Sequence, residues 1–153
     1  MPKDRQLEGV SVLVVEDSPD AREVIAEALR KYGANVVTAE SAHSALRILE
    51  KTRPDVLLSD IALPLMDGFA LLRRVRELEQ RRKLPPIPAA AVTAFTSAEY
   101  VRECQLAGFQ FHLGKPFVVE ELIATVARLA GTTDESPAGT QPVSLAAAKS
   151  RQE

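Results

Sequence analysis

The stretch that decides the fold is Val10-Ser-Val-Leu-Val-Val15, followed directly by Glu16-Asp17-Ser18-Pro19. A short, nearly continuous apolar run is typical of a parallel strand that is covered on both faces. Ser18 is suited to cap a helix, and proline is favoured at the first helical position. Gly33 provides a stop for that helix. The stretch therefore predicts a strand followed by a helix, with two acidic residues at the carboxyl end of the strand.

The same strand–helix pattern recurs along the chain, so we expect five parallel strands that alternate with five helices. The predicted strands are 10–15, 35–39, 55–59, 89–93 and 109–113. Ser41 is expected to cap the second helix, and the later helices are predicted at 65–80, 97–107 and 118–130. Right-handed crossovers favour a doubly wound α/β sandwich of the flavodoxin-like (βα)5 type, with strand order 2-1-3-4-5.

The composition of the 153 residues, 46% apolar and 26% charged, is that of one globular domain. We predict an N-terminal lead over 1–9, the folded domain over 10–131, and a disordered tail or linker over 132–153. The tail is rich in small and polar residues and has almost no bulky apolar residue, which favours disorder.

Several features point to the cytoplasm and to no membrane or nucleic-acid partner. The chain has a single cysteine, Cys104, a polar start and a net charge of −2. No apolar run approaches the roughly 20 residues that span a bilayer. Acidic residues interrupt the one basic cluster, no stacking aromatics accompany it, and a solvated helix face is therefore favoured over direct DNA binding. That cluster comprises Arg73, Arg74, Arg76, Arg81, Arg82 and Lys83.

The chemistry is expected at the carboxyl ends of the strands, where doubly wound sheets place their sites. Glu16 and Asp17 follow the first strand, Asp60 follows the third, and Thr93 and Lys115 lie at the ends of the fourth and fifth. Two like charges about 4 Å apart repel by about 4 kcal/mol at an effective dielectric of about 20, so converging carboxylates are unfavourable unless they are protonated or neutralised by a cation. Oxygen ligands favour Mg²⁺. A metal, a lysine and a hydroxyl around one carboxylate predict a site for a phosphoryl group.

Each of these residues alone has an ordinary structural interpretation. A Glu-Asp pair after a strand is usually a turn or a helix cap, a Lys-Pro pair is usually a loop, and a threonine at a strand end is usually a capping residue. The functional interpretation rests on their occurrence together at four strand ends.

The motifs that carry this pattern resemble the CheY-like receiver domain of bacterial two-component response regulators over about 10–131. They are Val12-Leu-Val-Val-Glu-Asp17, Ser59-Asp-Ile-Ala-Leu-Pro-Leu-Met-Asp-Gly68, Val92-Thr-Ala94 and Leu113-Gly-Lys-Pro-Phe117.

The resemblance implies that Asp60 accepts a phosphoryl group from a phosphohistidine on a histidine kinase or a phosphotransfer protein. It implies that Mg²⁺ is held by Glu16, Asp17, Asp60 and the backbone carbonyl of Ala62. Residues assigned to phosphoryl binding and switching are Thr93, Ala94, Lys115 and His112. Structural roles fall to Pro64, which fixes a turn, to Gly68, which can take a positive φ and lets the third helix begin near the site, and to Pro116, expected after a cis peptide bond.

The chain departs from the family pattern at three positions. His112 stands where receivers usually have tyrosine or phenylalanine; it either plays the same part as a planar ring, stays exposed as a partner contact, or biases the switch through its protonation. Ala62 and Phe95 flank the route by which water reaches the phosphoaspartate, and two apolar residues there suggest slow self-dephosphorylation.

The predicted function is a phosphoacceptor receiver in a phosphorelay, whose phosphorylation changes the surface of the fourth helix and fifth strand. It is expected not to be a dedicated enzyme, and to be a monomer or a phosphorylation-dependent dimer whose downstream protein partner is unknown. The main alternative is a receiver excised from a hybrid sensor histidine kinase, to which 84–88 and the Phe-Gln-Phe-His-Leu run also point. Rivals from other classes are a phosphatase of the haloacid dehalogenase type and a phosphorylation-independent interaction module.

Overall fold

The computed structural model describes residues 5–131 and 141–142, and within them the predicted alternation of strands and helices is confirmed. The parallel strands lie in the order β2-β1-β3-β4-β5, as predicted. The strands are β1 Ser11–Val15, β2 Asn35–Ala39, β3 Val56–Ser59, β4 Ala89–Thr93 and β5 Phe111–Gly114, with a sixth, β6, at Gln141–Pro142. The helices are α1 Pro19–Lys31, α2 Ala42–Lys51, α3 Gly68–Arg82, α4 Ala98–Ala107 and α5 Val119–Ala130.

The sheet is the middle layer of three, because apolar side chains leave both of its faces. Along β1, Val12 and Val14 join the core on the side of α1 and α5, whereas Leu13 and Val15 join the core on the side of α2, α3 and α4. All five residues of β4 are buried. Small residues in this strand let helices pack closely on both sides, and the doubly wound sandwich follows from this arrangement.

The two predicted serine caps are confirmed, and one helix start is corrected. The side chains of Ser18 and Ser41 accept a hydrogen bond from the first turn of α1 and α2, and Ser97, predicted as the first residue of the fourth helix, caps α4 in the same way. The prediction that the third helix begins at residue 65 is wrong, because Asp67 is its cap and accepts from the Ala70 N–H at 2.8 Å. Leu65 instead lies in the left-handed region, with φ of 71°.

Gly68 does not use the positive φ that glycine permits; in the Pro64–Gly68 segment the residue with a positive φ is Leu65. The glycine is required for space. A Cβ at this position would lie 2.5 Å from the backbone oxygen of Asp60 and 2.8 Å from the Cα of Ile61. The second part of the expectation therefore holds: the missing side chain lets α3 begin against the backbone of the acidic strand end.

The folded domain extends beyond its predicted limits. Leu7, placed in the lead, is fully buried in the core, and its N–H donates to the Tyr32 carbonyl at 2.8 Å. The fifth strand begins at Phe111 instead of residue 109, because Phe109 packs fully buried into the core after Gly108 ends α4.

Most of the predicted tail over 132–153 lies outside the described residues. The described part, Gln141–Pro142, pairs antiparallel with β5, His112 opposite Gln141. Cys104 is a free, buried thiol. Within 5–131 and 141–142, no helix is long and apolar enough to cross a membrane.

Replacing Gly68 by alanine is expected to lower the free energy of unfolding by about 1–3 kcal/mol, because the added methyl group meets rigid backbone. Urea unfolding measures the change. Gly9→Asn is the matched control, since a Cβ there has nothing within 4 Å and asparagine tolerates its positive φ. Equal stability of Gly68→Ala and the unchanged chain would contradict the steric account.

Candidate functional site

Three carboxylates meet at the carboxyl ends of β1 and β3. One oxygen atom from each of Glu16, Asp17 and Asp60 lies within 4.8 Å of the other two. The backbone fixes this convergence, because the Glu16 N–H donates to the Ala39 carbonyl at 3.0 Å and the Asp60 N–H donates to the Val15 carbonyl at 2.9 Å. Glu16 and Asp60 are buried and Asp17 is exposed, so the cluster opens to solvent on the Asp17 side.

Lys115 enters this cluster from the end of β5. Its Nζ donates to Glu16 Oε1 at 2.7 Å and to Asp60 Oδ2 at 3.0 Å. The Lys115 N–H donates to the Thr93 carbonyl at 2.9 Å, which ties the lysine to the end of β4. The Lys115–Pro116 peptide bond is cis, as the resemblance implied. One ammonium group therefore bridges the carboxylates of two different strands.

The pKa shifts of Glu16 and Lys115 follow from burial, hydrogen bonding and neighbouring charges. Burial raises the pKa of Glu16, the Asp60 charge adds to the increase, and hydrogen bonds from Lys115 and Ser18 oppose it. Burial lowers the pKa of Lys115, but its hydrogen bonds to Glu16 and Asp60 and their charges outweigh burial, so this pKa is raised. The lysine is thus held as a cation, and the buried carboxylate at Glu16 is in need of positive charge.

Two further contacts position Glu16. The Ser18 N–H donates to Glu16 Oε2 at 3.2 Å, and Arg22 Nη1 donates to the Glu16 carbonyl at 2.8 Å. Arg22 did not emerge from the sequence as a site residue. Its place one turn into α1, six residues after Glu16, is the signal that could have indicated it.

The three carboxylates fit a Mg²⁺ ion by their chemistry and their spacing. Ligand oxygens on opposite sides of Mg²⁺ lie about 4.2 Å apart, so oxygens within 4.8 Å of one another need only small side-chain adjustments. The Ala62 N–H donates to Asp60 Oδ1 at 3.2 Å, which places this residue beside the cluster. The role of its carbonyl as a ligand stays a prediction.

Thr93 and Ala94 lie at the end of β4, on the other side of the lysine. Thr93 is fully buried, and its hydroxyl oxygen accepts a hydrogen bond from the Phe95 N–H at 3.3 Å. Ala94 is exposed. The Thr93 hydroxyl is therefore engaged with the loop that follows β4.

His112 is buried, 5% exposed, so the alternative of an exposed partner contact does not hold in this structure. Its Nε2 lies 2.9 Å from the Phe95 carbonyl oxygen. The imidazole ring is thus buried beneath the loop that carries Phe95. This position suits the alternative in which His112 takes the place of the usual aromatic ring.

The remaining structural residues form the turn after Asp60. The Met66 N–H donates to the Pro64 carbonyl at 2.8 Å, and the Gly68 N–H donates to the Ile61 carbonyl at 2.8 Å. The turn leads from the buried carboxylate to the cap of α3 in seven residues. The turn borders one side of the site, and most of its side chains are exposed.

Sequence reasoning missed an aromatic cluster next to Thr93. Phe95 in the loop after β4, Tyr100 on α4 and Phe69 on α3 pack ring against ring. The signal was present, since Tyr100 follows the loop and lies in the first turn of α4, but nothing in one sequence distinguishes such a ring from core packing.

The family model described as the response regulator receiver domain matches residues 12–127. An uncharacterised 14.6 kDa protein from the sodA1 3′ region of Leptolyngbya boryana is 42% identical over 117 residues, 76% of this chain and 87% of that protein. The sensor histidine kinase RcsC of Salmonella typhi is 35% identical over 116 residues, 76% of this chain, and the chain spans only 12% of that kinase.

A solved structure gives the same result. The receiver domain of the Pseudomonas aeruginosa sensor histidine kinase PA1611, described with a magnesium ion coordinated in its active-site cleft, superimposes with a TM-score of 0.71 at 35% identity. The match covers 80% of this chain and 98% of that domain. With the fold and the acidic cluster, these matches show that the chain belongs to the response regulator receiver domain family of two-component signalling.

Proposed function

We propose that Asp60 is the phosphoacceptor of this receiver and carries the signal as an aspartyl phosphate. The observation that carries the proposal is the double hydrogen bond of Lys115, which joins the buried Asp60 carboxylate to Glu16. Lys115 and the backbone N–H of Ala62 both donate to the Asp60 oxygens, and Asp60 is the less deeply buried of the two carboxylates that Lys115 contacts. Those donors would also hold the oxygens of an incoming phosphoryl group.

In the transfer step, a carboxylate oxygen of Asp60 attacks phosphorus and forms a P–O bond while the P–N bond to the donor imidazole breaks. The imidazole leaves with the electron pair of that bond and becomes neutral histidine on the kinase or phosphotransfer protein. Lys115 stabilises the oxygens of the transferring group by its positive charge, which its raised pKa maintains at neutral pH.

Mg²⁺ is the proposed cofactor, with Glu16, Asp17, Asp60 and the Ala62 carbonyl as its ligands. When bound, the ion would offset the negative charge of the phosphoryl oxygens and of the carboxylates. The proposal is supported by the donor set and its spacing, and by the magnesium described for the PA1611 receiver.

The switch is proposed to pass through the ends of β4 and β5. Thr93, Ala94 and Lys115 would contact the phosphoryl oxygens, and movement of the Thr93 loop would reach His112 through the Phe95 carbonyl. Moving a 1:99 equilibrium to 99:1 requires about 5.5 kcal/mol of differential binding. A partner that recognises the surface formed by α4 and β5 would bind according to this change. That partner would be either a different protein or a second phosphorylated copy of this chain.

The phosphatase rival is less well supported by the site. An aspartyl phosphatase of that type would carry its nucleophile after the first strand, with a second aspartate two residues later. Here Asp17 is exposed and is followed two residues later by Pro19, while the lysine is directed to Asp60 after β3. In this proposal the chain accepts a phosphoryl group and loses it by hydrolysis, and it does not turn over other substrates as an enzyme would.

Incubation with Mg²⁺ and acetyl phosphate is expected to add one phosphoryl group to the unchanged chain, and Asp60→Asn is expected to abolish the addition, because the amide is not a nucleophile. Intact-mass spectrometry measures both. Asp20→Asn, an exposed aspartate of α1, is the matched control and should be phosphorylated normally. Steady phosphate release from many esters would favour the phosphatase instead.

Lys115→Met is expected to lower the free energy of unfolding in metal-free buffer by about 1–2 kcal/mol. The lost ammonium leaves two buried carboxylates without a counter-charge, and the value is discounted because the side chain is 26% exposed. Millimolar Mg²⁺ should stabilise this variant more than the unchanged chain, since lysine no longer competes for Glu16 and Asp60. Urea unfolding with and without Mg²⁺ measures the difference, with Lys31→Met as control. If Mg²⁺ raised the free energy of unfolding equally in Lys115→Met and in the unchanged chain, the lysine and the metal ion would not share one site.

The aspartyl phosphate is expected to persist for minutes or longer, because Ala62 and Phe95 offer no polar side chain to orient an attacking water. Ala62 is exposed, so Ala62→Asn should introduce an amide without disturbing the core, and should shorten the lifetime severalfold. Loss of the phosphoryl mass after removal of acetyl phosphate gives the lifetime. A lifetime of seconds in the unchanged chain with Mg²⁺ would contradict the expectation.

A further inference from the structure

Arg22 lies one turn into α1 and contacts the chain on both sides of Asp17. Its Nη1 donates to the Glu16 carbonyl at 2.8 Å, and its backbone N–H donates to the Ser18 carbonyl at 2.9 Å. The second contact is an ordinary helical hydrogen bond and survives any change of side chain. The first is specific to the guanidinium group, which therefore holds the point where the chain leaves β1 for the acidic turn.

The Asp17 carboxylate has no anchor of its own. It is exposed, and in the part of the chain that the structure describes no hydrogen bond or ion pair joins it to another residue. Glu16 and Asp60, by contrast, are buried, and each accepts hydrogen bonds from Lys115 and from a backbone N–H. The position of Asp17 thus depends on the backbone that carries it.

That backbone is fixed at Glu16 by two hydrogen bonds. The Glu16 N–H donates to the Ala39 carbonyl at 3.0 Å and ties the end of β1 to β2. The Glu16 carbonyl, which directly precedes Asp17, is bound by the Arg22 guanidinium. A charged donor makes a stronger hydrogen bond than a neutral one, and Arg22 is half-buried, so water competes for this contact only in part. Loss of the guanidinium would give the peptide group before Asp17 more freedom.

Mg²⁺ and Ca²⁺ differ in their response to such freedom. Mg²⁺ requires near-ideal octahedral geometry at about 2.0–2.1 Å, whereas Ca²⁺ accepts about six to eight oxygens at about 2.3–2.6 Å in flexible arrangements. A carboxylate that is held in place therefore favours Mg²⁺, and a mobile one weakens Mg²⁺ binding more than Ca²⁺ binding. The two ions carry the same charge, so a change in charge near the site affects both alike.

We propose that Arg22 is a positioning residue that holds Asp17 in place as a metal ligand and so sets the preference of this site for Mg²⁺ over Ca²⁺. The proposal rests on the proposed Mg²⁺ site of Glu16, Asp17 and Asp60. Arg22 acts through the backbone of the turn and is not itself a ligand. Its positive charge acts in the opposite direction, because a cation near the carboxylates repels an incoming metal ion. The two effects of the guanidinium therefore differ in sign.

The test uses Arg22→Met, which keeps an unbranched side chain on α1 and removes both the donor and the charge. Titration of the full chain with MgCl₂ and separately with CaCl₂, followed by amide NMR shifts, gives two dissociation constants. The Mg²⁺ constant should rise about tenfold and the Ca²⁺ constant about twofold or less, the effect of losing one charge-assisted hydrogen bond. Arg30→Met is the matched control, because Arg30 Nη2 donates to the Val36 carbonyl from the same helix, and both constants should be unchanged.

Amide hydrogen exchange in metal-free buffer measures the turn directly. The Ser18 N–H donates to Glu16 Oε2 at 3.2 Å, and it should exchange faster in Arg22→Met because the turn opens more often. Removal of a positive charge alone would slow base-catalysed exchange at this amide. The direction of the change therefore separates loss of position from loss of charge.

Tighter binding of both ions by Arg22→Met would overturn the inference, because charge would then be the dominant effect of the guanidinium. An equal loss of affinity for both ions would overturn it as well, since that result indicates general disruption of the fold, and so would unchanged constants or slower Ser18 exchange. Failure of the unchanged chain to bind Mg²⁺, or equal Mg²⁺ binding by Asp17→Ala, would instead overturn the proposed metal site. The two failures are therefore distinguishable.

Discussion

The structure depends on the need to neutralise carboxylates that neighbouring parallel strands bring together. Glu16 and Asp60 are buried at the ends of β1 and β3, and two such charges about 4 Å apart repel by about 4 kcal/mol at an effective dielectric of about 20. Lys115 reaches both from β5 at 2.7 and 3.0 Å. A single cation therefore links strands on both sides of β4. Three carboxylates against one ammonium group leave an excess of negative charge, which fits the proposed Mg²⁺ ion.

The fold supplies the geometry that this interaction requires. Strand order 2-1-3-4-5 puts the ends of β1 and β3 side by side, with β4 and β5 next to them, so four strand ends share one edge. Gly68 then lets α3 begin against the backbone of Asp60, where a Cβ would meet the carbonyl oxygen at 2.5 Å. The result is a cluster in which backbone hydrogen bonds between adjacent segments hold Glu16, Asp60 and Lys115 in place.

Much of this was predictable, because the strand ends are marked by residue type. Apolar runs, serine caps and the acidic residues after the first and third strands were sufficient for the topology and for the convergence of Glu16, Asp17 and Asp60. The sequence indicates that a glycine is needed at position 68, but not whether the reason is a dihedral angle or a lack of space; the reason is lack of space, and the positive φ in this segment belongs to Leu65. The aromatic cluster next to Thr93 could not be predicted, since it depends on tilted contacts among Phe69, Phe95 and Tyr100 from three separate segments.

A receiver that carries its signal as proposed has its phosphoryl group on Asp60. Borohydride reduces an aspartyl phosphate to homoserine, so treatment of the acetyl-phosphate-modified chain followed by peptide mass spectrometry locates the modified residue directly. We expect homoserine at position 60, with Asp17 and Glu16 unmodified. Homoserine at position 17, or an acid-stable phosphate on a hydroxyl residue such as Thr93, would contradict it.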